Sequence, residues 1–299
     1  MQGKAGPALA IIGVLGFSFK AILVKLAYSM ASIDAVTLLA LRMIYAAPFF
    51  AVMALWATRR EGASPIAHSD WLRLLWLGFV GYYISSLLDF MGLEHITASF
   101  ERLILFLYPT MVVLLSAVLF KQPIGGRTVL ALALSYAGIL LVFTHDLRLG
   151  GDAHAMWRGG GLVFASALCY AMYLVGAGPV IARLGSLRFI SWAMLISAVF
   201  VIVQFLATRP VAVLAAPPSI QLLSFAMAIC STVLPTLFIA EAIKRIGANR
   251  TSLIGSLGPV FTIALGFWIL GEPVHGIQLA GAALVLAGVT LVTLQPKGR

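Results

Sequence analysis

Charge is what this sequence has least of. Only 10% of its 299 residues are charged, against about 25% in a soluble domain, so there is too little polar surface to face water. Cysteine is nearly absent too. Cys169 and Cys230 both fall inside apolar stretches, where a lone thiol acts as a small apolar filler, and neither a disulfide nor a metal site follows. The signatures of catalysis are missing: no HExxH, no phosphate-binding loop and no Cys/His cluster. His68, His95, His145, His154 and His275 lie in connections or at the ends of apolar stretches, which argues against a buried imidazole relay. No cofactor is expected, and without a nucleotide-binding domain direct driving by ATP is excluded for this chain.

What is present is hydrocarbon, with 62% of residues hydrophobic. Ten apolar stretches run over residues 7–30, 35–58, 72–93, 97–120, 127–144, 159–182, 187–208, 220–243, 248–270 and 275–294. Each is long enough to cross about 30 Å of bilayer as a helix. No alternating ten-residue pattern of a barrel occurs, and backbone groups in lipid need partners within their own segment. The expectation is an all-α membrane protein of ten transmembrane helices. No short apolar region followed by a small-residue cleavage site opens the chain, so the first helix is expected to be retained.

The net charge of +10 could point to nucleic acid, but its distribution points to topology. With the N-terminus in the cytoplasm, Lys4, Arg59, Arg60, Arg73, Lys121, Arg127, Arg183, Arg188, Lys244, Arg245, Arg250, Lys297 and Arg299 fall inside, and only Arg148, Arg158 and Arg209 outside. That bias predicts both termini to be cytoplasmic. The excess charge then attracts anionic lipid rather than nucleic acid.

Residues 96–143 recur as 246–293, offset by 150 without a gap. Pro109 matches Pro259, Pro123 matches Pro273 and Gly138 matches Gly288; Ile96/Ile246, Leu103/Leu253, Ala133/Ala283 and Ala137/Ala287 match as well. A repeat of half the chain in membrane-grade sequence is the usual mark of a transporter with two halves. Five helices per half is an odd number, so the halves are expected to be inverted. The expected organisation is a first repeat over 1–144, an extracytoplasmic linker over 145–158 and a second repeat over 159–299. Pro109 and Pro259 fall mid-helix, where proline removes a hydrogen bond and kinks the chain. With Gly255 and Gly258 they are the candidate hinge or gate. The small faces Ala133/Ala137 and Ala283/Ala287 predict close packing of the fifth and tenth helices, inside a monomer or at a homodimer contact.

Ionisable residues at membrane depth are costly and so are functional candidates. Lys20 lies near the centre of the first stretch and is a candidate contact for a substrate carboxylate. Lys25, Arg42, Glu101, Arg102 and Glu241 are candidates for a charge network that includes Asp89. In the third stretch Phe79, Tyr82, Tyr83, Ser86 and Asp89 recur at three- and four-residue spacings, which makes one semi-polar face. Tyr108 precedes the Pro109 hinge, and Tyr170 and Tyr173 sit mid-way along the sixth stretch. A pocket with an apolar wall and few polar groups suits an amino acid with a hydrophobic side chain. Packing of helices is the competing role for each aromatic, and structural pairing for each charge. Trp71, Trp76, Trp157 and Trp268 read as interface anchors.

These residues resemble the EamA-type branch of the drug/metabolite transporter superfamily over nearly the whole chain. Ala35-Val36-Thr37-Leu38-Leu39-Ala40-Leu41-Arg42 is similar to its Ala-Leu-Arg element, and Lys25 maps onto its basic residue late in the first helix. Leu93-Glu94-His95-Ile96-Thr97-Ala98 through Tyr108-Pro109, with its copy Ile246-Gly247-Ala248 through Gly258-Pro259, resembles the family pattern of short turn, small residues and proline. Gly271-Glu272-Pro273 matches the family's Gly-Glu, whereas the first copy departs as Phe120-Lys121-Gln122-Pro123. The resemblance implies ten helices in inverted repeats around a central cavity, and export of small metabolites, often amino acids, across the bacterial inner membrane. Length and topology are similar to the family's aromatic amino-acid exporters. A channel-like facilitator, an exporter of another metabolite or drug, and an intramembrane enzyme are the alternatives. The sequence offers no charged filter ring for the first and no nucleophile–base pair for the last.

Overall fold

The computed structural model describes residues 2–59, 65–121, 123–148 and 152–293. Among them the chain is helical throughout. In order, the helices are α1 (Gln2–Met30), α2 (Ala35–Arg59), α3 (His68–Leu93), α4 (Ala98–Phe120), α5 (Gly126–Arg148), α6 (Ala153–Leu184), α7 (Ser186–Thr208), α8 (Pro218–Ile246), α9 (248–270) and α10 (Gly276–Thr293). The first eight are long and apolar enough to cross a membrane; α9 and α10 contribute shorter apolar helices, Gly258–Leu270 and Gly276–Leu291. The expected linker is mostly helical, because 145–148 continue α5 and 153–158 begin α6. Asp152 caps α6 by accepting from the His154 amide at 2.9 Å.

The repeat extends into the backbone well beyond the matched sequence. A widened π-type turn interrupts α3 at Phe79–Ile84 and α8 at Ile229–Val233. Helix α4 breaks at Phe106 and Leu107, and α9 at Ser256 and Leu257. Leu107 (φ −73°, ψ −13°) and Leu257 (φ −72°, ψ −12°) have the same conformation. Each break is followed by a segment with proline at its second position: Pro109 and Pro259 cannot donate to the carbonyl four residues back, and the Leu107 and Leu257 amides turn instead to the Ile104 and Ile254 carbonyls, both at 3.0 Å. Both helices end in the left-handed region, at Lys121 (φ 51°) and Gly271 (φ 66°).

Close contacts fix the relative direction of the copies. Asp34 pairs with Arg209 and Thr58 with Arg188, so α2 and α7 are antiparallel. A Cβ added at Gly138 would lie 2.6 Å from the Gly281 carbonyl oxygen, and one at Gly281 would lie 2.7 Å from the Gly138 carbonyl; Gly288 abuts Ala131. Pairing early with late residues makes α5 and α10 antiparallel as well. Since α7 is the copy of α2 and α10 that of α5, the halves run in opposite directions. The glycine contacts, more than the alanines read from sequence, set this close approach. The exchange is reciprocal elsewhere: α1 packs on α8 and α9, while α6 packs on α3 and α4. The main core lies between α1, α2, α3, α7 and α8, around Phe50, Phe90, Phe205 and Met43.

Candidate functional site

Helices α1, α3 and α4 converge one to two turns below the end where α3 passes to α4. The Lys20 ammonium donates to Asp89 Oδ2 at 2.6 Å and lies 3.5 Å from Glu101 Oε1. The Lys20 side chain is 17% exposed, whereas those of Asp89 and Glu101 are 2% and 0% exposed. At 3.5 Å the Glu101 contact is an ion pair without hydrogen-bond alignment. Among the described residues no N–H or O–H donor reaches either Glu101 oxygen or Asp89 Oδ1, and no acceptor reaches Arg42 Nε, while the Asp89 and Glu101 carboxyl groups lie within hydrogen-bonding reach of each other. Such a group normally finds a partner, because an unmatched buried polar atom costs about 1–3 kcal/mol. The site therefore presents both acceptors and a donor of opposite charge.

The arginines border this pair without forming an ion pair with it among the described residues. Arg42 from α2 is buried, donates through Nη2 to Ser86 Oγ at 3.3 Å, and stacks its guanidinium 4.9 Å from the Phe90 ring centre. Arg102, next to Glu101 on α4, reaches the Phe17 carbonyl at 2.5 Å and Thr262 Oγ1 at 3.0 Å. It thus ties α4 to both α1 and α9. Lys25 donates to the Leu93 carbonyl at 3.1 Å.

A run of aromatic rings adjoins the charges. The Tyr82 and Tyr173 hydroxyls are 3.0 Å apart; Tyr170 stacks on Tyr173 and meets Tyr108 edge-on, with ring centres 5.5 and 5.2 Å apart. Arg102 lies close enough to Tyr108 to act on it electrostatically. Tyr82, Tyr108 and Tyr170 are enveloped by protein, yet each keeps some accessible surface.

The candidates read from sequence are not all together. Lys20, Ser86 and Asp89, with Arg42, Glu101 and Arg102, make the charged cluster, while Tyr82, Tyr108 and Tyr170 make the aromatic run. Phe79 and Tyr83 point to α7, where both pack on Phe200 with ring centres 4.9 and 5.7 Å away. Glu241 does not belong to the network, which corrects the expectation. It is exposed near the end of α8 and pairs with Arg245 one turn on at 2.7 Å, because a carboxylate so close to a basic helix end finds its partner locally. Pro109 and Pro259 are each the second residue of the helical segment that follows a break. Gly255 ends the segment before the second break and Gly258 opens the next.

Sequence reasoning missed several polar ties. Glu272 accepts from the Ala98 amide (2.7 Å), the Ser99 amide (3.2 Å) and Ser99 Oγ (2.7 Å), so the end of α9 caps the start of α4. Glu272 also helps line a cavity of about 300 Å³ with His95, Asp146, His275 and Gln278. At the opposite end of the bundle Arg183 on α6 pairs bidentately with buried Asp70 on α3. Asp34 caps α2 through the Val36 amide and the Thr37 hydroxyl, and pairs with Arg209. The Gly-Glu pair was the one visible signal for the first of these.

Apolar spans, inverted halves and a buried ion cluster beside an interior aromatic run define a multi-pass membrane transporter rather than an enzyme. The chain belongs to the EamA-like transporter family, whose model matches it twice, over residues 4–144 and 157–294. It is 30% identical over 298 residues to the uncharacterized transporter YcbK of Bacillus subtilis (strain 168), covering 97% of this chain and 93% of that one. It is 27% identical over 216 residues to a probable terminal-alkyne amino-acid exporter of Streptantibioticus cattleyicolor, covering 70% and 68% of the two chains. A solved crystal structure shares the fold with a TM-score of 0.64 and 20% identity, covering 97% of this chain and 96% of the other.

Proposed function

We propose that the protein exports amino acids with aromatic or neutral hydrophobic side chains across the bacterial inner membrane, by alternating access. In this reading ten helices span the membrane, α9 and α10 included, with both termini in the cytoplasm as the basic residues suggest. The observation that carries the substrate class is the pairing of opposite unmatched groups in one buried cluster. Lys20 and the free Nε of Arg42 can hold a carboxylate, and the free oxygens of Asp89 and Glu101 can hold an ammonium. Both substrate charges are then met at short range in low dielectric, where such bonds are strongest. The tyrosine run offers an apolar wall with hydroxyl tips for the side chain. The amino-acid exporter among the relatives agrees with this class.

The two breaks supply the moving parts. Residues 106–107 and 256–257 lack the full α-helical ladder, so bending there disrupts few further hydrogen bonds. Helices α4 and α9 each have one segment on either side of the break, and tilting them in turn would open one side of the site while the other stays closed. Counterflow in proteoliposomes is the test. Labelled phenylalanine, tyrosine or leucine should exchange against unlabelled substrate with saturation, and Lys20→Met should abolish the exchange. Saturable exchange left unchanged by Lys20→Met would remove Lys20 from the site; non-saturating flux would favour a facilitator.

A further inference from the structure

We infer that Glu272 is the latch of an outer gate: its carboxylate fastens the outer segments of α9 and α4 to each other, and so holds the empty protein in the state that loads from the cytoplasm. This rests on the topology and the alternating access proposed above, and adds what sets the resting state. Glu272 is a positioning residue in this role, acting on the helices and not on the substrate.

Helix α9 stops at Gly271, whose φ of 66° turns the chain at the outer end, a conformation glycine adopts without strain. Glu272 follows at once and reaches α4. Its Oε1 accepts from the Ala98 amide at 2.7 Å, while Oε2 accepts from the Ser99 amide at 3.2 Å and from Ser99 Oγ at 2.7 Å. The first amides of a helix have no partner within it, and the Thr97 hydroxyl supplies that of Phe100. The start of α4 is therefore completed by the end of α9, with a negative charge set against its dipole. Pulling the segments apart strands these groups until water replaces each partner. Further ties close the same end. Arg102 Nε donates to Thr262 Oγ1 at 3.0 Å, again outer segment to outer segment. A Cβ added at Gly266 of α9 would lie 3.2 Å from Ser99 Oγ. Lys25 and Tyr28 of α1 donate to the Leu93 and Phe90 carbonyls of α3 at 3.1 and 2.9 Å.

The inner segments, Tyr108–Phe120 and Ala248–Gly255, take different neighbours: the first packs on α6, the second on α1 and α8. The 150-residue offset shows what a matching inner closure has to work with. It sets Gln122 against Glu272, Asn249 against Ser99, Ser252 against Arg102 and Val112 against Thr262. Gln122 and the side chains of Asn249 and Ser252 lie outside the described residues, but identity alone removes the carboxylate and the guanidinium from those positions. Charge-assisted hydrogen bonds are roughly twice as strong as neutral ones. The two symmetry-related closures are thus unequal, and the outer one wins. Substrate in the cytoplasm meets an open carrier, whereas substrate outside binds with an apparent affinity lowered by the small outward-open fraction.

Hydrogen–deuterium exchange, read by mass spectrometry on the reconstituted full chain, compares the native protein with Glu272→Gln and Thr97→Ala. Removing the charge from the latch should shift the population by about fivefold. Glu272→Gln should then speed exchange in the outer segments by about that factor and slow it in the inner ones. Thr97→Ala uncaps the same helix end without touching the tie to α9, and should speed exchange at the start of α4 alone. In proteoliposomes of one orientation, the KM for phenylalanine supplied from outside should fall by up to about fivefold in Glu272→Gln, while the KM from the cytoplasmic side rises. Inner segments left unmoved by Glu272→Gln, as by Thr97→Ala, or an unchanged outside KM, would each overturn the latch. Absence of counterflow by the native protein for every amino acid tried would instead sink the substrate reading, with the exchange pattern still deciding whether Glu272 sets the resting state.

Discussion

Replacing Lys20 with methionine keeps the length of the side chain and removes its charge, and the surroundings fix what that should cost. Asp89 and Glu101, 2% and 0% exposed, lose the one ammonium within ion-pair distance of both. Breaking a buried pair by removing one partner costs about 3–5 kcal/mol, since the surviving charge stays desolvated. The 17% exposure of Lys20 places the expectation near the low end, at about 3 kcal/mol. Asp89→Asn alone should cost less, because Glu101 remains beside Lys20. The double variant should recover part of the loss, and the coupling read from the cycle should exceed about 1 kcal/mol. Arg245→Met removes an ion pair of similar length, 2.7 Å, from an exposed helix face, where such pairs contribute little. Reversible denaturant unfolding in mixed micelles measures all four variants. If Lys20→Met destabilises no more than Arg245→Met, Arg42 and Arg102 already neutralise the carboxylates and the cluster is wrongly drawn.

Three further outcomes follow from named contacts. Gly138→Ala should destabilise by about 1–3 kcal/mol, since its Cβ would press on the Gly281 carbonyl of α10; Gly161→Ala, with open space around it on α6, should be neutral or gain up to about 1 kcal/mol, and the same unfolding assay compares them. Glu272→Ala should cost about 1–2 kcal/mol by uncapping α4, Glu272→Gln should restore part of it, and thermal unfolding in detergent reads both. Asp34 titrates below the ordinary carboxylate range: burial alone would raise it, but hydrogen bonds from Thr37 and Arg209 and the arginine charge outweigh that. A lowered folded value means its stabilisation is complete above the unfolded value and fades as pH falls through the folded one, so melting temperature should drop on acidification, and by less in Asp34→Asn.

The architecture was legible because it is written in quantities a sequence displays directly. Apolar length gives helices, the Lys/Arg bias suggests sidedness, and the offset between Pro109 and Pro259 marks the breaks to within three residues. The site was legible in part. Lys20, Asp89 and Glu101 stand out because charge is rare in these helices, but pairing them needed the crossing of α1, α3 and α4. Phe79 and Tyr83 share a helical face with Tyr82 by spacing alone, yet the widened turn at Phe79–Ile84 alters the rotation per residue, and those rings meet Phe200 instead. A period of 3.6 residues cannot foresee that. Glu272 was visible only as a motif, since its partners are Ala98 and Ser99, far away in sequence and contributing mainly backbone amides.

The offset of 150 residues that relates the halves also shows why the chemistry is one-sided. Lys20 has Tyr170 as its counterpart, Asp89 has Ile239, Glu101 has Thr251 and Arg42 has Trp192. The backbone devices recur in both halves: the wide turns, the breaks and the left-handed ends. A break works by withholding hydrogen bonds, which costs about the same in each copy, and two breaks are needed to open two sides in turn. A buried ion cluster works by desolvated charge, and a second copy would double that expense while setting like charges opposite one another across the pseudo-two-fold axis. One cluster suffices to bind one zwitterion. The counterpart of Lys20 is therefore free to be an aromatic ring, and Tyr170 lies in the aromatic run that adjoins the ammonium's cluster. Exchanging the pair, as Lys20→Tyr with Tyr170→Lys, should move the charge away from Asp89 and abolish binding even if the fold survives, a result that counterflow and unfolding measured on the same preparation would separate.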